Sequence, residues 1–98
     1  MNYYVYILTI VVERSEYEVH LPAHREYLRQ LDAEGALVLS GPFTDRRGGM
    51  ILIRAESEAA ARAIADADPL VKQGVDTYEL RHWRITGGDL GRLALEVG

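Results

Sequence analysis

The run from Tyr3 to Val12 is apolar at every position except Thr9. Its β-branched and aromatic residues favour an extended strand. Side chains alternate between the faces of a strand. Tyr3, Val5, Ile7 and Val11 therefore share one face, and Tyr4, Tyr6, Leu8, Ile10 and Val12 share the other. An antiparallel sheet with one wet face alternates apolar with polar residues. This strand does not, so both of its faces need cover. Helices of the same chain can cover one. In a chain of 98 residues, the simplest cover for the other is a second copy of the sheet. A domain this small buries only about 60–65% of the surface its unfolded chain exposes, so burying a further face by oligomerising helps.

The rest of the chain supplies those helices. Glu13 to Tyr17 reads as a polar connection. Leu21 to Leu31 reads as an amphipathic helix, with Pro22 suited to the first helical position and Gly35 to a left-handed C-terminal cap. Tyr27, Leu28 and Leu31 form its apolar stripe, while Arg25, Glu26, Arg29 and Gln30 face away. Ala36 to Ser40 is a short buried strand, Gly41 to Gly49 is turn chemistry, and Met50 to Ala55 is the returning strand of a hairpin. Ser57 suits an N-cap, and Ala60, Ala61, Ile64 and Ala67 give a stripe of small residues. Pro69 disfavours helical backbone at Asp68 and so ends that helix. Val71 to Asp76 reads as irregular. Thr77 to Ile85 is the last strand, with Tyr78, Leu80 and His82 on one face and Glu79, Arg81 and Trp83 on the other. Beyond the break at Gly87-Gly88, Leu90, Leu93, Ala94 and Val97 suit one short helix or an added strand, packed on the domain or on a partner subunit.

The order strand, helix, strand, strand, helix, strand is the split βαβ, or ferredoxin-like, arrangement of the α+β class. It predicts a four-stranded antiparallel sheet with both helices on one face. Two such sheets stacked on their open faces make a dimeric α/β barrel. Residues 1–86 form the domain in this reading, and residues 87–98 a tail.

Charge and composition narrow the function. A net charge of −4 gives no electrostatic reason to expect nucleic acid. The absence of cysteine excludes thiolate nucleophiles, disulfides and cysteine-based zinc sites. The Tyr3–Val12 run is too short to cross a membrane as a helix. Met1-Asn2-Tyr3-Tyr4 lacks the basic segment and cleavage site of a signal peptide, so a cytosolic protein is the default. No glycine-rich phosphate loop or dinucleotide fingerprint is present, and no cofactor is expected.

Two titratable residues stand out. Counting back from Tyr27, Leu28 and Leu31 by helical spacing reaches His24, on the core-facing side of the first turn. The positive helix end there favours a neutral ring, which can accept a proton. The plain alternative is a ring that packs on the core and bonds a backbone carbonyl. Asp68 lies four residues after Ile64, at the end of a helix where the dipole disfavours an acid. A carboxylate there seeks a donor or a cation. A histidine on the neighbouring helix supplies one, and the bond would fix which ring nitrogen carries the proton. The alternative is an Asp-Pro turn whose carboxylate bonds a nearby backbone N–H. Ser40-Gly41-Pro42-Phe43 by its residues alone reads first as a strand end plus turn; the alternative is a cleft lining, since Gly41 admits close approach and Ser40 can donate a hydrogen bond. His20 and His24 have the spacing of a metal pair, but Pro22 separates them and no carboxylate motif accompanies them, so no metal site is expected. His82 reads as a sheet or interface residue, and Arg46-Arg47 as a solvated loop.

Four short runs, taken in order, resemble the YCII-related (YciI-like) family: Pro22-Ala23-His24-Arg25-Glu26-Tyr27-Leu28, Leu39-Ser40-Gly41-Pro42, Ala67-Asp68-Pro69-Leu70, and Tyr78-Glu79-Leu80-Arg81-His82-Trp83. The likeness spans Met1 to Ile85. It implies the dimeric α/β barrel and a catalytic His-Asp pair falling on His24 and Asp68. Leu70 stands where the family often has an aromatic residue. One related group resembles muconolactone isomerases and eliminates chloride from chlorinated hydroxyquinols. The resemblance thus implies a cofactor-independent isomerase or lyase acting on a small cyclic or aromatic-derived molecule, in which His24 moves the proton and Asp68 orients it. Ser40, Gly41, Pro42 and Phe43 would line the substrate cleft. The rival readings are a non-catalytic ligand-binding dimer using the same cleft and an interaction protein with a vestigial pocket.

Overall fold

The computed structural model describes residues 1–96. Its elements are β1 (Asn2–Ile10), α1 (Arg14–Glu18), α2 (Leu21–Ala33), β2 (Leu37–Pro42), β3 (Gly48–Ala55), α3 (Glu58–Ala67), α4 (Pro69–Lys72) and β4 (Asp76–His82), followed by a 3₁₀ turn at Leu90–Arg92. The antiparallel sheet runs β2-β3-β1-β4, which is the ferredoxin-like order. The apolar first strand is thus central, paired with β3 from Asn2↔Ala55 to Thr9↔Gly48 and with β4 from Tyr4↔His82 to Ile10↔Asp76.

The two faces of β1 meet different surroundings. Tyr4, Tyr6 and Leu8 point to the helices and join Ile51, Ile53, Ala61, Ala65 and Leu70 in one buried cluster. Ile53 is fully buried, and its truncation to Ala should cost about 2–5 kcal/mol. On the opposite face, Val5 lies across from Leu52, and Ile7 across from Met50. Val5 and Leu52 are buried yet lie outside the helix-side cluster, whereas Met50 is 39% exposed. This open face is apolar only in its middle: β4 contributes Glu79 and Arg81 to it, opposite Ile7 and Val5.

Local chemistry fixes the helix ends. Gly35 has φ +78° and ends α2, with the Ala36 N–H returning to the Leu31 carbonyl. The Ser57 hydroxyl accepts from the Ala60 N–H at 3.1 Å and starts α3. The α3 face that meets the sheet is Ala61 and Ala65, both fully buried, so the stripe of small residues is rotated slightly from the expected one.

Several expected boundaries move. The polar piece expected at Glu13–Tyr17 contains a short helix, α1, whose Tyr17 is buried against the core. Helix α2 begins one residue before Pro22. The stretch expected to be irregular, Val71 to Asp76, begins inside one helical turn, α4, which Asp68 caps and whose first position Pro69 fits, and ends in the first residue of β4. Both ends of the Gly41 to Gly49 stretch are strand: β2 runs through Pro42 and β3 starts at Gly48, leaving a loop at 43–47 in which Arg46 has φ +66°. Strand β4 ends at His82 rather than Ile85, with a last bond from the Trp83 N–H to the Tyr3 carbonyl. Among the described residues, the tail forms neither a full helix nor a strand. It carries the single 3₁₀ turn, with Leu90 80% exposed, and Val97 lies outside the described residues. Among the described residues, no helix is long and apolar enough to cross a membrane.

Candidate functional site

His24 and Asp68, 44 positions apart, are brought into contact. His24 Nδ1 lies 2.8 Å from Asp68 Oδ1. The histidine sits in the first turn of α2, and Asp68 is the hinge residue between α3 and α4. Asp68 is completely buried and has two further partners: the Tyr6 hydroxyl donates to Oδ2 at 2.9 Å, and the Leu70 N–H donates to Oδ1 at 3.0 Å.

Both readings of Asp68 therefore hold at once. It forms the Asp-Pro turn, bonding the backbone two residues on, and it also meets the histidine. The expected electrostatic penalty is offset, because the residue that ends α3 also caps the start of α4.

These donors decide the proton positions. A carboxylate only accepts hydrogen bonds. With the Tyr6 hydroxyl and the Leu70 N–H already donating, Nδ1 of His24 meets it as a third donor. Nε2 is then left as the ring atom with a free lone pair, and among the described residues it takes no hydrogen bond. Burial, the Asp68 charge and the hydrogen bond to it push the Tyr6 phenol far above its ordinary range, so it stays a donor. Tyr27, whose hydroxyl donates to the Ile64 carbonyl at 2.7 Å and ties α2 to α3, is pushed up to about 12 by burial and then by Asp68.

His24 opens onto a cavity of about 520 Å³. That volume falls within the range of small-molecule sites. Its walls are apolar in part (Leu8, Leu21, Leu28, Ile51, Leu70), with Arg14 and Arg25 contributing cations. Ser40, Gly41 and Pro42 line it as expected; Phe43 does not, and faces a shallower adjoining hollow with Arg46. Gly48 and Gly49 also line it, at positions where the neighbouring strand backbones leave no room for a side chain. A Cβ on Gly48 would sit 1.8 Å from the Leu8 carbonyl oxygen, and one on Gly49 2.8 Å from that of Gly41. Glu96 of the tail reaches the same cavity.

Three further parts of the site lie outside the sequence expectations. Tyr6 was legible as a core residue but not as the third partner of Asp68. Tyr17 and Arg14 lay in a segment read as a connection. Asp76, which lines the cavity, was read as the end of an irregular piece; its place at the start of a strand on the helix-facing side would have singled it out. His20 precedes α2 and its side chain does not join His24 at the cavity. Among the described residues, no three His, Asp or Glu side chains gather as metal ligands would.

Residues 1–84 match the model of the YCII-related domain, and the chain belongs to that family. It is 39% identical over 83 residues to the uncharacterized protein YjpA of Bacillus subtilis, covering 84% of this chain and 96% of that one. In fold it is similar to 5-chloro-2-hydroxyhydroquinone dehydrochlorinase (TftG) of Burkholderia phenoliruptrix AC1100, solved in complex with 2,5-dihydroxybenzoquinone. The TM-score is 0.67 at 20% identity, covering 84% of this chain and 93% of the other.

Proposed function

We propose that this chain is a small cytosolic enzyme that moves a proton on a small cyclic or aromatic-derived molecule, without a cofactor. The observation that carries the reading is the 2.8 Å contact between His24 Nδ1 and a fully buried carboxylate, at the wall of a cavity of ligand size. In this mechanism Nε2 of His24 takes a proton next to a carbonyl or enol of the bound molecule. Asp68 stabilises the imidazolium that forms and holds the ring in place. Return of the proton to another atom completes an isomerisation; departure of a leaving group completes an elimination. Ser40 and the backbone at Gly41 and Pro42 position the ligand. The similarity in fold to a dehydrochlorinase supports the elimination branch.

The same reading includes a homodimer through the open sheet face, centred on Val5, Ile7, Met50 and Leu52, with the tail after residue 86 packing on the partner. The apolar Met50, 39% exposed on the sheet face that the helices do not cover, supports it.

The test is turnover of 5-chloro-2-hydroxyhydroquinone or a muconolactone, followed by chloride release or by absorbance. His24→Ala should lower the rate on the order of 10²–10⁴-fold. Turnover unchanged in His24→Ala would end the mechanism. Tight binding of such compounds with no reaction would replace it by the non-catalytic ligand-binding dimer.

A further inference from the structure

Asp76 is a buried acid that the mechanism above does not use. It is 4% exposed, and neither carboxylate oxygen finds a hydrogen-bond partner among the described residues. It opens β4 opposite Ile10, and strand alternation puts it on the helix-facing side with Tyr78 and Leu80. It lines the same cavity as His24. Keeping an ionised carboxylate out of water without a partner is costly, and buried acids are ordinarily paired. Here the missing partner has a place to enter, since the orphan borders a cavity that a small molecule fits.

We propose that Asp76 is a specificity-determining residue, whose carboxylate receives a hydroxyl donor from the small ring compound that presents its reacting proton to His24. The inference rests on the cavity being a ligand site and adds a selecting group to it. A hydroxyl fits better than an ammonium group, because Arg14 and Arg25 line the cavity and would repel a cationic ligand. The leucine and isoleucine walls suit a ring. Burial, then the charge of Asp68, pushes the Asp76 carboxyl up to about 6, with His24 opposing. Tyr17 and Arg14 of α1, Arg25 of α2 and Glu96 of the tail are the other titratable groups around the cavity.

The experiment is an NMR titration of the wild type, Asp76→Ala, Asp76→Asn and His24→Ala with two probes. These are 1,4-dihydroxybenzene and its donor-free dimethyl ether, 1,4-dimethoxybenzene. The wild type should bind the dihydroxy probe more tightly than the ether. Asp76→Ala should weaken the dihydroxy probe on the order of 10–100-fold, the value of one hydrogen bond to a charged group, and leave the ether unchanged. Asp76→Asn keeps an acceptor and should lose less. Without ligand, the Asp76 carboxyl carbon should titrate near 6, and the midpoint should move with the dihydroxy probe alone. A midpoint in the ordinary carboxylate range overturns the inference. Wild-type affinity for the dihydroxy probe in Asp76→Ala overturns it too; if His24→Ala then binds poorly, the cavity reading survives. Failure of the dihydroxy probe to bind the wild type overturns the ligand class assigned to Asp76, while turnover of 5-chloro-2-hydroxyhydroquinone would leave the enzyme reading standing.

Discussion

Replacing Asp68 by Ala removes the acceptor of three donors at once. The Tyr6 hydroxyl and the Leu70 N–H lie in the fully buried core, whereas His24, with a side chain 13% exposed, can turn to water. Each buried donor left unsatisfied costs about 1–3 kcal/mol. The two orphans, of which the Leu70 N–H is also the donor that Asp68 caps at the start of α4, together give about 2–6 kcal/mol, in line with removing one partner of a buried charged network. That is a large share of the 5–15 kcal/mol that holds a typical domain folded. Asp68→Asn should behave differently. Its amide oxygen can still accept from Leu70 and His24, and its NH₂ can donate to the Tyr6 oxygen after the hydroxyl rotates. The expected loss is about 1 kcal/mol. Urea unfolding followed by far-UV circular dichroism, at one fixed protein concentration, measures both. Asp68→Ala within about 1 kcal/mol of wild type, or Asp68→Asn as damaged as Asp68→Ala, would show that the three hydrogen bonds do not carry this energy.

Asp76 should make stability fall with rising pH. Its folded value of about 6 exceeds the ordinary 3.8, so the folded state holds the proton more tightly, and that advantage, complete below about 4, is lost as pH rises through 6. The shift of about two units corresponds to at most about 3 kcal/mol. Asp76→Asn should therefore melt higher than wild type at pH 8 and match it near pH 4; equal melting at both would refute the buried charge. Gly48→Ala should abolish β1–β3 pairing, because its Cβ would meet the Leu8 carbonyl at 1.8 Å, while Gly41→Ala, with nothing within 4 Å, should fold normally; circular dichroism separates the two. Met50→Glu, at a position 39% exposed within the protomer, should leave the monomer fold intact and split the proposed dimer in sedimentation velocity; an unchanged sedimentation coefficient would argue against the open-face interface.

The parts of the fold legible in the sequence were those with period or punctuation. The doubly apolar Tyr3–Val12 run, the Ser57 cap and the Gly35 stop each stated their structure locally. The His24–Asp68 pairing was also foreseeable, since helical spacing put His24 on the inner face of its helix and the Asp-Pro break placed the acid at the end of a neighbouring one. What could not be read was tertiary in origin. Five residues from Arg14 become helical because Tyr17 finds a buried site against the core, not because their propensity demands it. Gly48 and Gly49 looked like turn residues, yet they serve as strand residues where neighbouring backbones leave no room for a Cβ. Asp76 continues the helix-facing alternation of Tyr78 and Leu80 by one step, but its lack of a partner depends on what packs around it. Phe43 followed the cleft motif in sequence, but β2 ends at Pro42, and the chain turns away before Phe43 can reach the cavity.

The imidazole geometry is most directly tested by two-bond ¹H–¹⁵N correlation of the His24 ring at a pH where it is neutral. Donation from Nδ1 to Asp68 predicts a protonated Nδ1, a bare Nε2 and a slowly exchanging Nδ1 proton that is lost in Asp68→Ala. A ring protonated on Nε2, or an even mixture of tautomers as in free imidazole, would contradict the assignment of His24 as a base held by Asp68.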